Sequence, residues 1–119
     1  MSRLAFIFIV SALLIVTQQV LSIEDLTTTS WKFYNDAGYL GTLNFNVNGR
    51  ITGYNRYNEV SWKINSNRML EVYNGDGNLT VRYVWGFKDN YGKWRLQGKY
   101  LVDGNPTSNG WTHYLEQLI

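Results

Sequence analysis

The sequence contains no cysteine, one proline and one histidine among its 119 residues. Most small secreted domains are stabilised by disulfides, and this chain cannot form one, so it must bury enough apolar surface on its own. A single histidine with scattered carboxylates offers no metal-ligand spacing. We therefore expect neither a metal nor another cofactor.

Charge is also sparse and evenly divided, with 11 basic and 9 acidic residues and no block of either sign. Nucleic acid and anionic membrane surfaces are therefore poor candidates as partners. Aromatic residues are abundant instead, with 5 Trp, 9 Tyr and 5 Phe. Because each aromatic ring buries a large apolar area, these residues are the expected source of the core.

The N-terminal segment has the pattern of a secretory signal peptide. Arg3 precedes two apolar runs at 4–10 and 12–16, and Ser22 supplies a small residue where a signal peptidase reads one. We predict a signal peptide over residues 1–22, cleaved after Ser22. The alternative is an uncleaved membrane anchor, which the short apolar run and the interruption at Gln18-Gln19 disfavour. The expected location is extracellular, or periplasmic in a bacterium, with no stable membrane span after cleavage.

The rest of the chain divides into a polar lead-in over residues 23–29 and one domain over residues 30–119. In that domain, short runs of period-two alternation are each followed by a turn signal, and no stretch has helical periodicity. The pattern predicts eight strands, at 31–34, 39–47, 50–54, 60–64, 68–73, 79–87, 94–102 and 111–118.

Short loops favour antiparallel neighbours, and an eight-stranded meander leaves two exposed edges unless it closes. We therefore predict an all-β fold, an antiparallel up-and-down barrel, with a β-sandwich as the alternative. Eight strands give a barrel that side chains fill or that holds one small ligand. Glycines inside the predicted strands suit the sharp bends of such a barrel: Gly41, Gly53, Gly86 and Gly98.

The stretch 48–64 combines the Asn48-Gly49 hairpin signal with two half-buried strands and, between them, a loop rich in amides. We name that loop, residues 55–59, the polar elbow. Sugars are held by planar side chains that bond adjacent hydroxyls, together with an aromatic face. The polar elbow and its flank provide both kinds of group, and the candidate ligand-binding residues here are Tyr54, Tyr57, Asn58 and Glu59.

These assignments have structural alternatives. Asn58-Glu59 is also typical of turn chemistry, and both interpretations stay open. The two side chains lie between strands, so we expect them to contribute little to packing. Trp62 shares a strand face with Val60 and Ile64, which favours a core position over a binding one.

An ordered series of short motifs runs through residues 31–118: Trp31…Phe33, Gly49-Arg50-Ile51-Thr52-Gly53-Tyr54, Asn58-Glu59, Trp62, Asp76-Gly77, Thr80, Gly92-Lys93-Trp94, Leu96-Gln97-Gly98 and Thr112-His113-Tyr114-Leu115. This series resembles a small β-rich module that often accompanies bacterial sugar-transfer and surface-polysaccharide enzymes. The resemblance implies a glycan context and no mechanism.

A second resemblance concerns Trp31…Asn35-Asp36…Gly38 and Gly49…Thr52-Gly53-Tyr54. These motifs are similar to the opening hairpins of avidin-like and lipocalin-like barrels. In avidins the late strands carry aromatic ligand walls, so the resemblance implies ligand-binding roles for Trp85, Trp94 and Trp111. Asn35, in the first of the two motifs, is a further ligand-binding candidate. The spacing of Trp31 from Asn35 and the position of Tyr54 depart from the avidin pattern, so it implies shared architecture and not biotin.

Catalysis has little support in the residue pattern. His113 shares a predicted strand face with Trp111 and Leu115, and no positioned partner for a general base is visible. Glycoside hydrolysis needs paired carboxylates. Glu71 alternates with apolar neighbours and is expected to point outward, which leaves Glu59 without a partner.

Asn78-Leu79-Thr80 is a glycosylation sequon just after a turn, so Asn78 is a candidate site in a eukaryotic secretory pathway. The expected function is a secreted, non-enzymatic β-barrel that binds a small polar ligand, with carbohydrate ahead of other classes. The alternative is a secreted structural or protein-interaction domain with a filled aromatic core. A glycan-active enzyme comes third.

Overall fold

A computed structural model describes residues 20–102, 105–106 and 111–118. Residues 1–19, 103–104, 107–110 and 119 lie outside the described residues, and they include most of the predicted signal peptide. The elements are α1 (Ile23–Thr27), β1 (Ser30–Asn35), β2 (Gly38–Phe45), β3 (Ile51–Thr52), β4 (Ser61–Ile64), β5 (Leu70–Tyr73), β6 (Leu79–Lys88), β7 (Trp94–Val102), β8 (Asn105–Pro106) and β9 (Thr112–Leu118). Among these residues, no helix has the length and apolar character needed to cross a membrane.

The strands form one antiparallel sheet in the order β3-β2-β1-β9-β7-β6-β5-β4, and the two-residue β8 pairs with β7. The two ends of this order meet through a bridge between Arg50 and Ser61. The amide of Ile51 donates to the carbonyl of Val60 at 3.0 Å, and the amide of Trp62 donates to the carbonyl of Gly49 at 3.0 Å. The sheet is thus nearly closed, and the prediction of an eight-stranded up-and-down barrel is confirmed over the sandwich.

Because consecutive long strands alternate in direction, the loops fall at two ends of the barrel. The loops β1–β2, β3–β4, β5–β6 and the connection from β7 to β9 lie at one end, which we call the mouth. The turns β2–β3, β4–β5 and β6–β7 lie at the other end, which we call the base. Tyr54 and the polar elbow are therefore at the mouth.

The base is closed by α1, an element that the sequence did not predict within the lead-in 23–29. The Ser22 hydroxyl caps the helix by accepting from the Asp25 amide at 3.0 Å, and Leu26 is fully buried. The indole N–H of Trp31 donates to the Leu26 carbonyl at 2.9 Å. Leu21 is also buried in the core. Cleavage after Ser22 would therefore leave α1 without its cap and the base without Leu21.

The lower half of the barrel is filled by aromatic and aliphatic side chains. Phe45 packs edge-to-face against Trp31 and against Trp62, with ring centroids 6.3 Å and 6.2 Å away. Trp62 is 9% exposed, and its indole N–H donates to the Asn46 carbonyl at 2.9 Å. The core position expected for Trp62 is therefore confirmed. The predicted strand 39–47 ends earlier than expected, at Phe45. Val47 lies in the following turn and is exposed, although strict alternation with Leu43 and Phe45 would have it face the core.

A bulge in β6 changes which face its second half presents. Arg82 pairs with Lys99 and Trp85 pairs with Gln97, so Tyr83 and Val84 together oppose Gly98. A Cβ on Gly98 would lie 2.2 Å from the carbonyl oxygen of Arg82, so only glycine allows this approach. After the bulge, Trp85 faces outward. Strict alternation along the predicted strand 79–87 would keep Trp85 and Phe87 on the face of Val81 and Tyr83, and the bulge breaks that alternation.

Candidate functional site

A cavity of about 370 Å³ opens at the mouth of the barrel. Four strands and two loops bring polar and aromatic side chains together around it. The residues that line it are Asn35, Leu40, Tyr54, Arg56, Asn58, Glu59, Tyr100, Trp111 and His113. Small-molecule sites typically occupy about 300–1,000 Å³, so the volume suits one small ligand.

Aromatic rings form the wall of this cavity. The Tyr54 ring packs edge-to-face on Phe33 at 5.4 Å, and it occupies the space that a side chain at position 41 would need. A Cβ on Gly41 would lie 2.7 Å from the Tyr54 ring. Tyr100 forms another part of the wall, and Trp111 is 46% exposed at the rim. The wall therefore combines the packed ring of Tyr54 with the accessible ring of Trp111.

The polar elbow is held on the β5–β6 turn by its backbone. The Gly75 amide donates to the Tyr57 carbonyl at 2.9 Å, and the buried Thr80 hydroxyl donates to the Asn58 carbonyl at 2.9 Å. The phenol of Tyr57 bonds Asp76 on the same turn, so its ring lies away from the cavity and is more than half exposed. Tyr57 therefore lies outside the mouth cavity, where its side chain helps to anchor the elbow, and its ligand-binding role stays a prediction.

Glu59 points inward from the end of the polar elbow. Its side chain is 6% exposed and accepts no hydrogen bond from the described residues. Burial raises the pKa of the Glu59 carboxyl to about 7, against a smaller opposing effect of the Arg56 charge. Burial also raises the pKa of the nearby Tyr83 phenol, and the Glu59 charge adds to that shift. The expectation that Glu59 contributes little to packing is wrong, since the elbow turns this side chain into the barrel.

His113 is the second buried titratable group of the cavity. Its ring packs against Phe33 at 5.2 Å and Tyr100 at 5.4 Å, and its Nδ1 is buried without a hydrogen-bond partner among the described residues. Burial lowers the pKa of His113 to about 4, partly offset by the charge of Asp36. Asp36 accepts from the Thr112 amide at 2.8 Å and so fixes the start of β9. His113 is therefore neutral at physiological pH.

The rim carries amide and guanidinium groups. The Asn35 side-chain oxygen accepts from the Ala37 amide at 2.8 Å, so this group takes part in the β1–β2 turn and leaves its NH₂ for other partners. Asn58 is partly exposed. The guanidinium carbon of Arg56 lies 5.7 Å from the centre of the Tyr54 ring, and its side chain is exposed.

The structure brings together five of the predicted ligand-binding residues: Asn35, Tyr54, Asn58, Glu59 and Trp111. Trp85 lies on the outer face and packs on Phe87 at 5.0 Å. Trp94 is 2% exposed at the base, where its indole N–H donates to Asp25 at 3.2 Å. Trp85 and Trp94 thus lie outside the mouth cavity, because a bulge turns the first outward and β7 begins at the base, and their ligand-binding roles stay predictions.

Sequence reasoning missed four of the lining residues: Leu40, Arg56, Tyr100 and His113. The alternation of His113 with Leu115 predicts that His113 faces the inside of the barrel, but it does not distinguish a core position from a position in the cavity wall. Tyr100 alternates in step with Trp94 and Leu96, so its inward direction was also readable. An inward-facing residue lines the site if it lies near the mouth and packs in the core if it lies nearer the base. Alternation shows that a residue faces inward, but not how far along the barrel axis it lies.

Two further groups bear on the sequence-based expectations. Glu71 pairs across the outer face with Arg82 at 2.8 Å, as its alternation predicted, although its neighbours cover it to 5% exposure. Asn78, the candidate glycosylation site, is exposed at the end of the β5–β6 turn. In the part of the chain that the structure describes, no group of three or more His, Asp or Glu side chains could hold a metal ion.

Comparison with known proteins adds no relative to this description. No protein-family model, no curated protein and no solved structure matches the chain. The two resemblances stated above therefore remain predictions, and the case for function rests on the mouth cavity itself.

Proposed function

We propose that this protein is a secreted, non-enzymatic β-barrel that binds a small polar ligand, a carbohydrate, in its mouth cavity. One observation carries the proposal. A cavity of about 370 Å³ is lined by the carboxyl of Glu59, which has no hydrogen-bond partner among the described residues, together with the amide of Asn58 and the rings of Tyr54 and Trp111.

The chemistry of this lining matches what a sugar needs. Hydroxyl groups are bound by side chains that donate and accept in one plane, which Glu59, Asn58 and the NH₂ of Asn35 provide. The apolar face of a sugar ring packs on aromatic rings, and Trp111 offers one at the rim. Since the polar elbow is tied to the β5–β6 turn, the polar groups are held in place before a ligand arrives, which lowers the entropic cost of binding.

Two other functions are less well supported. A protein-interaction domain would use the outer face, where Trp85 and Phe87 pack together and Trp85 is 56% exposed. A glycan-active enzyme would need a second carboxyl near the first, and among the described residues that line the cavity Glu59 is the one acid. Export rests on the N-terminal sequence pattern and belongs to the proposal as well.

A matched pair of tryptophan variants tests where binding occurs. The purified protein is applied to a glycan array, and retained glycans are confirmed by native mass spectrometry. Trp111→Ala and Trp85→Ala each remove a half-exposed indole, one at the mouth rim and one on the outer face. We expect Trp111→Ala to weaken glycan binding by roughly tenfold, as loss of an aromatic contact does, and Trp85→Ala to leave it unchanged.

Retention of no glycan by the parent protein would contradict the proposal. Loss of binding in Trp85→Ala with Trp111→Ala unaffected would also contradict it, and would move the binding surface to the outer face.

A further inference from the structure

The Glu59 carboxyl faces the mouth cavity without a protein partner among the described residues, and its oxygens reach that cavity, since His113 Nδ1 is the one fully buried unpartnered side-chain atom there. Glu59 is 6% exposed, and it has neither a hydrogen-bond donor nor an ion-pair partner within the described residues. Buried carboxyls elsewhere in proteins are normally bonded, and an unbonded one reduces the stability of the fold. Glu71 shows the ordinary arrangement in this same chain, since it is equally buried and bonds Arg82, Tyr73 and Asn65.

The wall around Glu59 suits a cation. Tyr54, Tyr100 and Trp111 line the same cavity, and the faces of aromatic rings attract ammonium groups. The Arg56 guanidinium already lies over the Tyr54 ring, so Tyr100 and Trp111 are the rings that remain for a ligand cation. His113 is neutral and therefore does not repel a positive charge. A ligand cation at this place would meet a carboxyl that has no partner among the described residues, and a charge-assisted hydrogen bond to it is stronger than a neutral one.

We infer that the ligand of the mouth cavity carries a protonated amine, which pairs with the Glu59 carboxylate, and that its class is therefore an amino sugar with a free amine. The inference rests on the proposed function and narrows it. The amine occupies the Glu59 end of the cavity, while the sugar hydroxyls bond Asn58 and Asn35 and the ring packs on Trp111.

The other titratable groups around Glu59 are compatible with a cation. Arg56 is the one cationic side chain among the described lining residues, and it is exposed to solvent, so its repulsion of a ligand amine is screened. Burial raises the pKa of the Tyr83 phenol on β6, so this group carries no charge near Glu59 at neutral pH. Beyond His113, Asp36 contributes negative charge from the β1–β2 turn.

Proton release provides a test that needs no variant. With a Glu59 pKa of about 7, the carboxyl is mostly protonated at pH 6, and pairing with an ammonium group deprotonates it. Calorimetric titration of glucosamine at pH 6, in two buffers of different ionisation enthalpy, measures that release. We expect most of one proton per bound glucosamine, and none for glucose, which bonds the neutral acid.

Four probes separate the ligand classes: glucosamine, glucose, N-acetylglucosamine and glucuronic acid. We expect glucosamine to bind roughly ten- to hundredfold more tightly than glucose or N-acetylglucosamine, as a charge-assisted bond implies. Glu59→Gln keeps the shape of the side chain and is expected to abolish both this preference and the proton release. Arg56→Gln is the matched control, and we expect it to keep or increase the glucosamine preference.

Each other outcome overturns a defined part of the account. Equal affinity for glucosamine and glucose would refute the amine inference and leave carbohydrate binding intact. Preference for glucuronic acid, lost in Arg56→Gln, would also refute it, because the charged contact would then be Arg56. Binding of none of the four probes, together with an array that retains no glycan, would refute the proposed function as well.

Discussion

The hydroxyl of Thr80 donates to the carbonyl oxygen of Asn58 at 2.9 Å, across 22 residues of sequence. The same hydroxyl lies 3.1 Å from the Val72 carbonyl, and the Thr80 side chain is buried. This contact fixes the backbone of the polar elbow one residue before Glu59. Because Thr80 lies on β6, the direction in which Glu59 points depends on a contact between the polar elbow and β6.

Removal of that hydroxyl is expected to weaken both the fold and the site. Thr80→Val keeps the shape but leaves two buried carbonyls with one donor fewer, and we expect a loss of about 1–3 kcal/mol in unfolding free energy. Denaturant unfolding measures it, with protein made in a host that adds no glycan at Asn78. Thr52→Val, at an exposed position on β3, is the control and is expected to cost less than about 0.5 kcal/mol. Equal losses in the two variants would contradict the role given to Thr80.

The β6 bulge requires glycine at position 98. A methyl group there would lie 2.2 Å from the Arg82 carbonyl, a backbone atom that cannot turn aside. We expect Gly98→Ala to cost about 3 kcal/mol, at the upper end of the usual cost of overpacking. At Gly75 the nearest atoms belong to the exposed Tyr57 ring, at 3.1 Å, so Gly75→Ala is expected to cost clearly less. Thermal unfolding of the two variants compares them, and a stable Gly98→Ala would show that the bulge does not need this contact.

Trp62 is expected to be the most important single side chain of the filled half. It packs on Phe45 and donates to the Asn46 carbonyl, so Trp62→Ala leaves a cavity and removes one of the two hydrogen bonds to that carbonyl, the other coming from the Gly49 amide. We expect a loss of about 3–5 kcal/mol in unfolding free energy. Trp85→Ala removes an equally large ring from the outer face and is expected to cost far less. Similar stability of Trp62→Ala and the parent would show that Trp62 is not a core residue.

The architecture was readable from the sequence because alternation and turn signals report strands directly. Leu43, Phe45, Val81 and Leu96 all face the core, as their period-two spacing indicated. The bulge was not readable, since it depends on Gly98 approaching Arg82 from another strand. Trp85 was consequently assigned to the wrong face.

The site was predictable only in part, for a related reason. Asn35, Tyr54 and Trp111 flank loops that share the mouth, so topology brings them together once the barrel is closed. Trp94 faces inward, as its alternation predicts, but it lies at the base of the barrel and not at the mouth. The inward turn of Glu59 depends on the Thr80 contact, and local sequence carries no signal for it.

The two buried titratable groups of the cavity have opposite effects on stability as pH changes. The pKa of Glu59 is raised from 4.5 to about 7, so between these values the folded state keeps a proton that the unfolded state loses, and stability falls as pH rises. The pKa of His113 is lowered from 6.5 to about 4, so its contribution is lost as pH falls through that window. Between pH 4.5 and 6.5 the two slopes oppose each other.

Single variants are therefore expected to show a dependence of stability on pH that is largely cancelled in the parent protein by the two opposing effects. In Glu59→Gln the His113 effect remains, and stability relative to the parent should decrease by about 1 kcal/mol for each pH unit of acidification from 6.5 to 4.5. In His113→Asn, stability relative to the parent should instead increase on acidification by a similar amount. Unfolding free energies across this range check both signs. Carboxyls with lowered pKa, such as Asp36 and Glu71, titrate mainly below it. Parallel pH profiles for both variants would contradict the burial of these two groups.

The mouth cavity is the central element of this account, and the five indole N–H groups report on it from known positions. Trp111 is at the mouth rim and Trp85 on the outer face, while Trp31, Trp62 and Trp94 are buried lower in the barrel. The most direct measurement is a ¹H–¹⁵N correlation spectrum of the protein titrated with glucosamine. The account predicts a saturable shift of the Trp111 indole resonance while the Trp85 resonance stays in place. A shift of Trp85 with Trp111 unmoved would contradict it.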